Sequence, residues 1–272
     1  MKPIHVAVLG STGMLGHTVF KTLSQDPRLL VQGISRKSKP PFDALDSIWK
    51  LDHVLSPHVD YVINCAGVIW QAKNPSREET FRVNTLFPRN LARLVASRGV
   101  RLIHVSTDCV FSGTGKGDHT EIDVPDATDD YGLSKLLGEP DDAMVLRTSV
   151  IGREMTTKRS LLEWAIANSG KQVNGYTNHI WNGVTSMAYA KICSEIMCQD
   201  LYAYGVHHLH SEAKVSKYEL LTMINDEMRL CMKINPVEAP DPVDRSLASV
   251  KPLCKRLNIP HIRRLITQIG ET

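Results

Sequence analysis

The 272-residue sequence has no CxxC pair among its six cysteines, no apolar run long enough to span a membrane, no internal repeat and no block of arginine and lysine. Each absence excludes something. The cysteines (Cys65, Cys109, Cys193, Cys198, Cys231 and Cys254) and the histidines are scattered without zinc-ligand spacing, so no metal site is expected. In a chain of this length such cysteines read as reduced thiols of a cytoplasmic protein. The opening MKPIHVAVLG is too short an apolar stretch for a signal peptide or a membrane span, and it runs straight into a glycine-rich turn. A net charge of +3 without a basic stripe argues against a nucleic-acid partner. What remains is an ordinary globular composition, 42% apolar and 22% charged, long enough for one domain with an appended lobe.

The first half alternates between strand and helix patterns. IHVAVLG, LLVQGIS, VDYVINCAG, VRLIHVSTD and AMVLRTS read as buried strands, with the helical pattern MLGHTVFKTLSQD after the first. The clearest helix is predicted from about Arg77 to Ser97, opened by the Ser76/Glu79 capping box, closed by Gly99, and kinked or locally irregular at Pro88. This alternation predicts an α/β fold, a Rossmann-type doubly wound parallel sheet over residues 1–150. A smaller C-terminal substrate-binding lobe is expected from 151–272. Within it, residues of about 184–210 return to the sheet, and Asn235 to Val250, with three prolines, reads as loop.

The first strand ends in GSTGMLG. Gly10, Gly13 and Gly16 between a strand and a helix let a backbone approach a pyrophosphate and offer helix N-terminal amides to it. The spacing is G-x-x-G-x-x-G, the variant seen in short-chain dehydrogenases. Twenty residues beyond Gly16, where an acid would accept hydrogen bonds from a ribose, stands Arg36. An arginine cannot accept those bonds but can pair with a 2′-phosphate, so NADPH is expected over NADH, with Ser35, Arg36 and Lys37 at the phosphate. The turn NCAG, Asn64 to Gly67, either lies beside the cofactor or simply ends a strand with glycine.

RLIHVSTD ends in Ser106, Thr107 and Asp108, and DDYGLSKLLGE follows, with Tyr131 24 residues after Thr107 and Lys135 one helical turn beyond Tyr131. Reduction of a ketone needs a hydride on carbon and a proton on oxygen. A free tyrosine titrates near pH 10, and a close ammonium lowers that value, so Lys135 is expected to acidify Tyr131. Thr107 is placed to hydrogen-bond the carbonyl oxygen.

STDCVFSG, the acidic pair in TEID, YGLSKLLGE and LRTSVIG together resemble extended short-chain dehydrogenases of the dTDP-4-dehydrorhamnose reductase type. The likeness runs from the glycine turn to DRSL near residue 245. It implies Thr107, Tyr131 and Lys135 as the catalytic triad. Around the cofactor it implies Gly10, Thr12, Gly13, Met14, Leu15 and Gly16. It adds Ser35, Arg36 and Asp43 after the second strand, then Asn64, Cys65, Ala66, Gly67, Asn84 and Ser106, with Tyr131 and Lys135. The implied substrate is a 4-keto sugar on a nucleoside diphosphate, reduced at C4 in deoxysugar or surface-polysaccharide synthesis, and a homodimer is compatible with the resemblance. Two positions depart from the family pattern. Val150 stands where an aromatic residue usually follows RTS, which bears on the sugar, and Cys109 replaces the usual tyrosine.

In the second half, GYTNHIWNGVTSM offers Asn178, Trp181, Asn182 and Thr185 to a sugar or base, or else forms a polar loop around a buried tryptophan. Asp108 and Val110 are expected on the substrate side. Arg245 either clamps a diphosphate or pairs with Asp244 or Asp241. Trp164 reads as helix packing, and His208 and His210 as one face of a half-buried strand rather than a metal site. Two other functions share the fold. An epimerase or dehydratase of the same superfamily recycles NAD and calls for an acid near position 36. The β subunit of methionine adenosyltransferase is similar in fold and motifs and is a regulatory subunit without known turnover.

Overall fold

A computed structural model describes residues 2–69, 75–154, 158 and 160–269. The chain runs β1 (Ile4–Leu9), α1 (Met14–Leu23), β2 (Leu29–Ile34), α2 (Ile48–Val54), β3 (Tyr61–Asn64), α3 (Arg77–Phe81), α4 (Phe87–Ser97), β4 (Arg101–Thr107), α5 (Asp130–Leu137) and β5 (Met144–Thr148). It continues through β6 (Val150–Ile151), α6 (Leu161–Ala167), β7 (Gln172–Tyr176), β8 (His179–Trp181), β9 (Val184–Thr185), α7 (Ser186–Cys198), β10 (Gly205–His208), β11 (Val215–Ser216) and α8 (Lys217–Met228). The last elements are β12 (Lys233–Val237), β13 (Val243–Asp244), α9 (Pro252–Leu257) and α10 (Ile262–Ile266).

Six parallel strands form the main sheet in the order β10-β5-β4-β3-β1-β2. Side chains alternate across it, as a two-residue period requires. Val6 and Val8 of β1 face one core with Ile63, Ile103, Met144 and Leu146, covered by α1 and α7. Ala7 and Leu9 face the other with Val62 and Leu102, covered by α2 and α4. The strand order reverses between β1 and β3, so their carboxyl ends open the crevice in which such sheets bind ligands. At the far edge the free groups of β10 are covered by charge. Glu121 accepts from the His208 N–H at 2.9 Å, and Lys251 donates to the Val206 carbonyl at 2.6 Å. An edge so blunted cannot add another strand.

The long helix predicted from Arg77 to Ser97 is interrupted. A π-helical turn, Arg82–Leu86, separates α3 from α4, and Pro88 lies in the first turn of α4. A proline ring collides with the carbonyl four residues back, here that of Asn84, and the wider turn moves that carbonyl aside. It then lies against Gly138 at the end of α5, where any Cβ would run into it. The irregularity thus seats the tyrosine-bearing helix.

Two predictions about the second half are corrected. The loop expected from Asn235 to Val250 contains most of β12, paired in parallel with β7, and all of β13, paired with β8. The polar segment 175–187 holds two short strands, β8 and β9. Among the described residues no helix is long and apolar enough to cross a membrane, and no group of histidine, cysteine and carboxylate side chains could hold a metal ion.

Candidate active site

The glycine turn joins β1 to α1 at the crevice. Gly10 adopts φ +73°, and a Cβ there would come within 2.8 Å of the Ala66 backbone nitrogen. A side chain at Gly16 would strike the Gly10 carbonyl. Gly13 caps α1 without a side-chain bond, and no acid stands in the first turn. α5, α6, α7 and α8 all have a side chain bonded at this position. The first-turn amides of α1 are therefore left facing the crevice with a partial positive charge.

Past β2, Ser35 is buried and turned inward. Its hydroxyl accepts from the Lys37 N–H at 3.1 Å, which shapes the turn. The Arg36 side chain is 80% exposed, and its nearest carboxylate is Asp43 at 3.8 Å. Asp43 itself caps the next turn by accepting from Leu45 N–H at 3.0 Å. Beyond it a cavity of about 200 Å³ is lined by Ala44, Leu45, Asp46, Ile48, Arg82, Leu86, Phe87 and Asn90.

Thr107 closes β4 at the same end of the sheet, and α5 starts beside it, capped by Asp129 accepting from Gly132 N–H at 2.9 Å. The half-buried Tyr131 phenol lies beside the Thr107 hydroxyl. Thr107 donates to Asp108 at 3.2 Å, and Cys109 lies 3.6 Å from the same carboxylate. Burial raises the Tyr131 pKa, Cys109 and the carboxylates of Asp108 and Asp129 raise it further, and the neighbouring Thr107 hydroxyl offsets part of this. Burial, reinforced by Asp108, pushes the Cys109 thiol up to about 12. Both groups are protonated at neutral pH.

Lys135 is buried one turn along α5. Its ammonium donates to the Val105 carbonyl at 2.6 Å, and burial brings its pKa down to about 8 against the pull of Glu139. The expectation that Lys135 acidifies Tyr131 is corrected: the ammonium is engaged with β4, and the phenol is a weaker acid than in water, not a stronger one. Beneath Lys135, Glu139 takes both prongs of Arg147 at 2.8 Å and the Ser106 hydroxyl at 2.6 Å. The Arg147 guanidinium also lies over the Phe111 ring, 5.6 Å from its centroid.

Comparison with known proteins is decisive at this point, because residues 4–258 match the RmlD substrate binding domain family. The chain belongs to that family. The probable low-salt glycan biosynthesis reductase Agl14 of Haloferax volcanii is 34% identical over 54% of this chain and 54% of that protein, so the match spans about half of that relative. Methionine adenosyltransferase 2 subunit beta of Rattus norvegicus is 27% identical over 83% of this chain and 72% of that one. Among solved structures, dTDP-4-dehydrorhamnose reductase from Bacillus anthracis in complex with NADP has a TM-score of 0.83 at 18% identity, covering 98% and 99% of the two chains. The fold is the doubly wound parallel sheet of RmlD-type extended short-chain dehydrogenases.

Within this RmlD-family cleft, several expected contacts are spent inside the protein. Asn64 accepts from Ala66 N–H at 3.1 Å and bonds His104 at 3.1 Å, fixing the NCAG turn. Cys65, Ala66 and Gly67 follow it at the crevice, and burial pushes the Cys65 thiol up to about 12. Asn84 binds both backbone groups of Val68, at 2.8 Å each, and the Ser134 hydroxyl at 3.0 Å, so it ties α5 to the turn after β3. Ser106 is committed to Glu139.

On the substrate side, Val110 is fully buried with Phe111 and Leu247, and Trp181 is 3% exposed in the main core. Asn178 is doubly bonded to Ala239, and Asn182 to Leu247, while Thr185 caps α7 through Ala188 N–H. The two asparagines are thus tied to backbone, and Val110 and Trp181 are packed in the core. Arg245 pairs with neither Asp244 nor Asp241. Its Nε donates to the Phe111 carbonyl at 2.9 Å, and Nη1 lies 3.9 Å from Cys109 Sγ. Val150 is half-buried and paired with Val184. Trp164 is 40% exposed, so it packs only part of its surface.

Two features escaped the sequence reading. The Glu139–Arg147 pair has one available signal: an arginine within the apolar run MVLRT of a central strand requires a buried acid. Lys217, the first residue of α8, reaches over Trp181 toward Asp108, Cys109 and Arg245. The capping box Ser216/Glu219 marks where its helix begins, but nothing local marks the face it takes.

Proposed function

We propose that this chain is an NADPH-dependent reductase of the 4-keto group of a deoxyhexose carried on a nucleoside diphosphate. The observation that carries the reading is the Tyr131 phenol beside Thr107 at the carboxyl end of β4, with Lys135 one turn along α5. Family membership supports it, as do the reductase names borne by Agl14 and the Bacillus anthracis protein. The bare glycine turn and the uncapped start of α1 suit a pyrophosphate, and Arg36 suits a 2′-phosphate.

Bound NADPH supplies the hydride. Thr107 orients the ketone and stabilises the charge that develops on its oxygen. Tyr131, held protonated by its buried setting, gives its proton to that oxygen. The phenolate left behind takes up a new proton from solvent, and the Lys135 ammonium serves by holding the nicotinamide ribose one turn along α5.

The pH dependence follows with a definite sign. Lys135 has a lowered pKa, so its charge is present below about 8 and is lost as the pH rises through that value. Tyr131 stays protonated across the same range. The rate constant kcat is expected to fall above about pH 8, and Lys135→Met should lose both activity and that alkaline limb. A wild-type profile flat to pH 10 would remove the ammonium from the mechanism.

Arg36→Ala is expected to lower kcat/KM for NADPH roughly 10- to 100-fold, as for loss of a charged hydrogen-bonded pair, with little change for NADH. Steady-state kinetics with both cofactors checks this. Equal efficiency of the wild type with NADPH and NADH would contradict the assignment of Arg36.

A second reading, a cofactor-binding regulatory subunit, is favoured by the extent of the likeness to methionine adenosyltransferase 2 subunit beta. Stable complex formation with a methionine adenosyltransferase, together with no turnover of any keto sugar nucleotide, would select it.

A further inference from the structure

Lys217 stands where the second lobe meets the site. β11 pairs with β8, bringing Val215 opposite Trp181, and the capping box then turns the chain sharply into α8. Within that box Ser216 N–H donates to Glu219 at 2.7 Å, and Glu219 N–H donates to the Ser216 hydroxyl at 3.1 Å. The Lys217 backbone is therefore fixed, and its ammonium sits 5.6 Å from the centroid of the buried Trp181 ring.

Its charge has no close counter-ion. Among the described residues it has no hydrogen bond and no salt bridge; the indole face attracts it but accepts no N–H in the usual sense. Lys214, three residues earlier, shows the contrast: it lies 2.7 Å from Asp118 and 3.8 Å from Asp244. The acids around Lys217 are already committed. Glu219 serves the cap, and Asp108 Oδ1 takes the Thr107 hydroxyl and the Cys109 thiol. The other cation nearby is Arg245, which also has no ion pair among the described residues. Two cations and one carboxylate thus lie near one another beside Thr107. Burial lowers the Lys217 pKa, although Asp108 supports the charge. Holding two cations together and partly dehydrated is unfavourable without an anion between them, and such perturbed groups in a cleft mark binding sites.

We propose that Lys217 is a substrate-binding residue, forming with Arg245 a cationic wall of the cleft that takes an oxyanion of the sugar nucleotide, a phosphate of the linker or a carboxylate on the sugar. The inference rests on the reading of the cleft as a sugar-nucleotide site, but not on turnover.

The test is equilibrium binding of UDP-glucose, dTDP-glucose and UDP-glucuronate to the full chain loaded with NADP+, comparing wild type, Lys217→Met and Lys217→Arg. Lys217→Met should weaken binding roughly 10- to 100-fold, Lys217→Arg should restore most of it, and NADP+ affinity should be unchanged. Equal losses for all three probes assign the linker phosphate, and a loss confined to UDP-glucuronate assigns a sugar carboxylate. Unchanged affinity of Lys217→Met for every probe that the wild type binds, or a wild type that binds none of them, overturns the proposal. A wild type that binds the probes yet never oxidises NADPH with a keto sugar would instead sink the reductase reading, and the binding comparison would still decide Lys217.

Discussion

Tyr131→Phe should lower kcat by about 10²–10⁴-fold, the loss expected when a positioned general acid is removed, while NADPH affinity stays close to wild type. Only one oxygen is deleted, and the ring and α5 stay in place. That oxygen lies beside Thr107 and is held protonated by burial. Cys109 does not replace it, because its thiol is engaged with the Asp108 carboxylate 3.6 Å away. Single-turnover reduction in excess enzyme would measure the chemical step free of product release. A variant within threefold of wild type would exclude Tyr131 as the acid.

The second large effect is on stability. Arg147→Met leaves Glu139 in the core with the Ser106 hydroxyl and the neighbouring Lys135 charge but no ion pair, and should cost about 3–5 kcal/mol, as for breaking a buried pair by removing one partner. In a chain of this size that lowers Tm by roughly 6–20 °C. Removing both charges, with Glu139→Leu and Arg147→Met together, should recover part of the loss, because neither partner is then stranded, while Lys135 loses the Glu139 charge. Urea unfolding of the two single variants and the double variant reads this directly. A single-variant cost below about 1 kcal/mol would show that the pair is not buried as described.

The parts of the site that were legible in sequence are local. Gly10, Gly13 and Gly16 announce their turn within seven residues of chain, and a side chain at Gly10 or Gly16 would strike backbone, while Tyr131 and Lys135 announce a shared helix face by spacing alone. Pro88 announced an irregularity, though not that a π-helical turn would absorb it. What stayed hidden is long-range. Asn178 and Asn182 looked like sugar ligands, but each is paired with backbone 61 and 65 residues away, a use no local pattern records. Trp181 and Val110 sit in a polar-looking segment and after a catalytic-looking strand end, yet both are core. The acidifying role expected of Lys135 failed because sequence gives the spacing of two groups on a helix, and not the Val105 carbonyl that turns one of them away.

The central claim is tested most directly by following NADPH absorbance with a dTDP-4-keto-6-deoxy sugar generated in situ by its upstream dehydratase and epimerase. The account predicts oxidation that tracks the keto sugar, runs faster with NADPH than with NADH, and is lost in Tyr131→Phe. No oxidation with dTDP-, UDP- or GDP-linked keto sugars, from a chain that binds NADPH tightly, would contradict it.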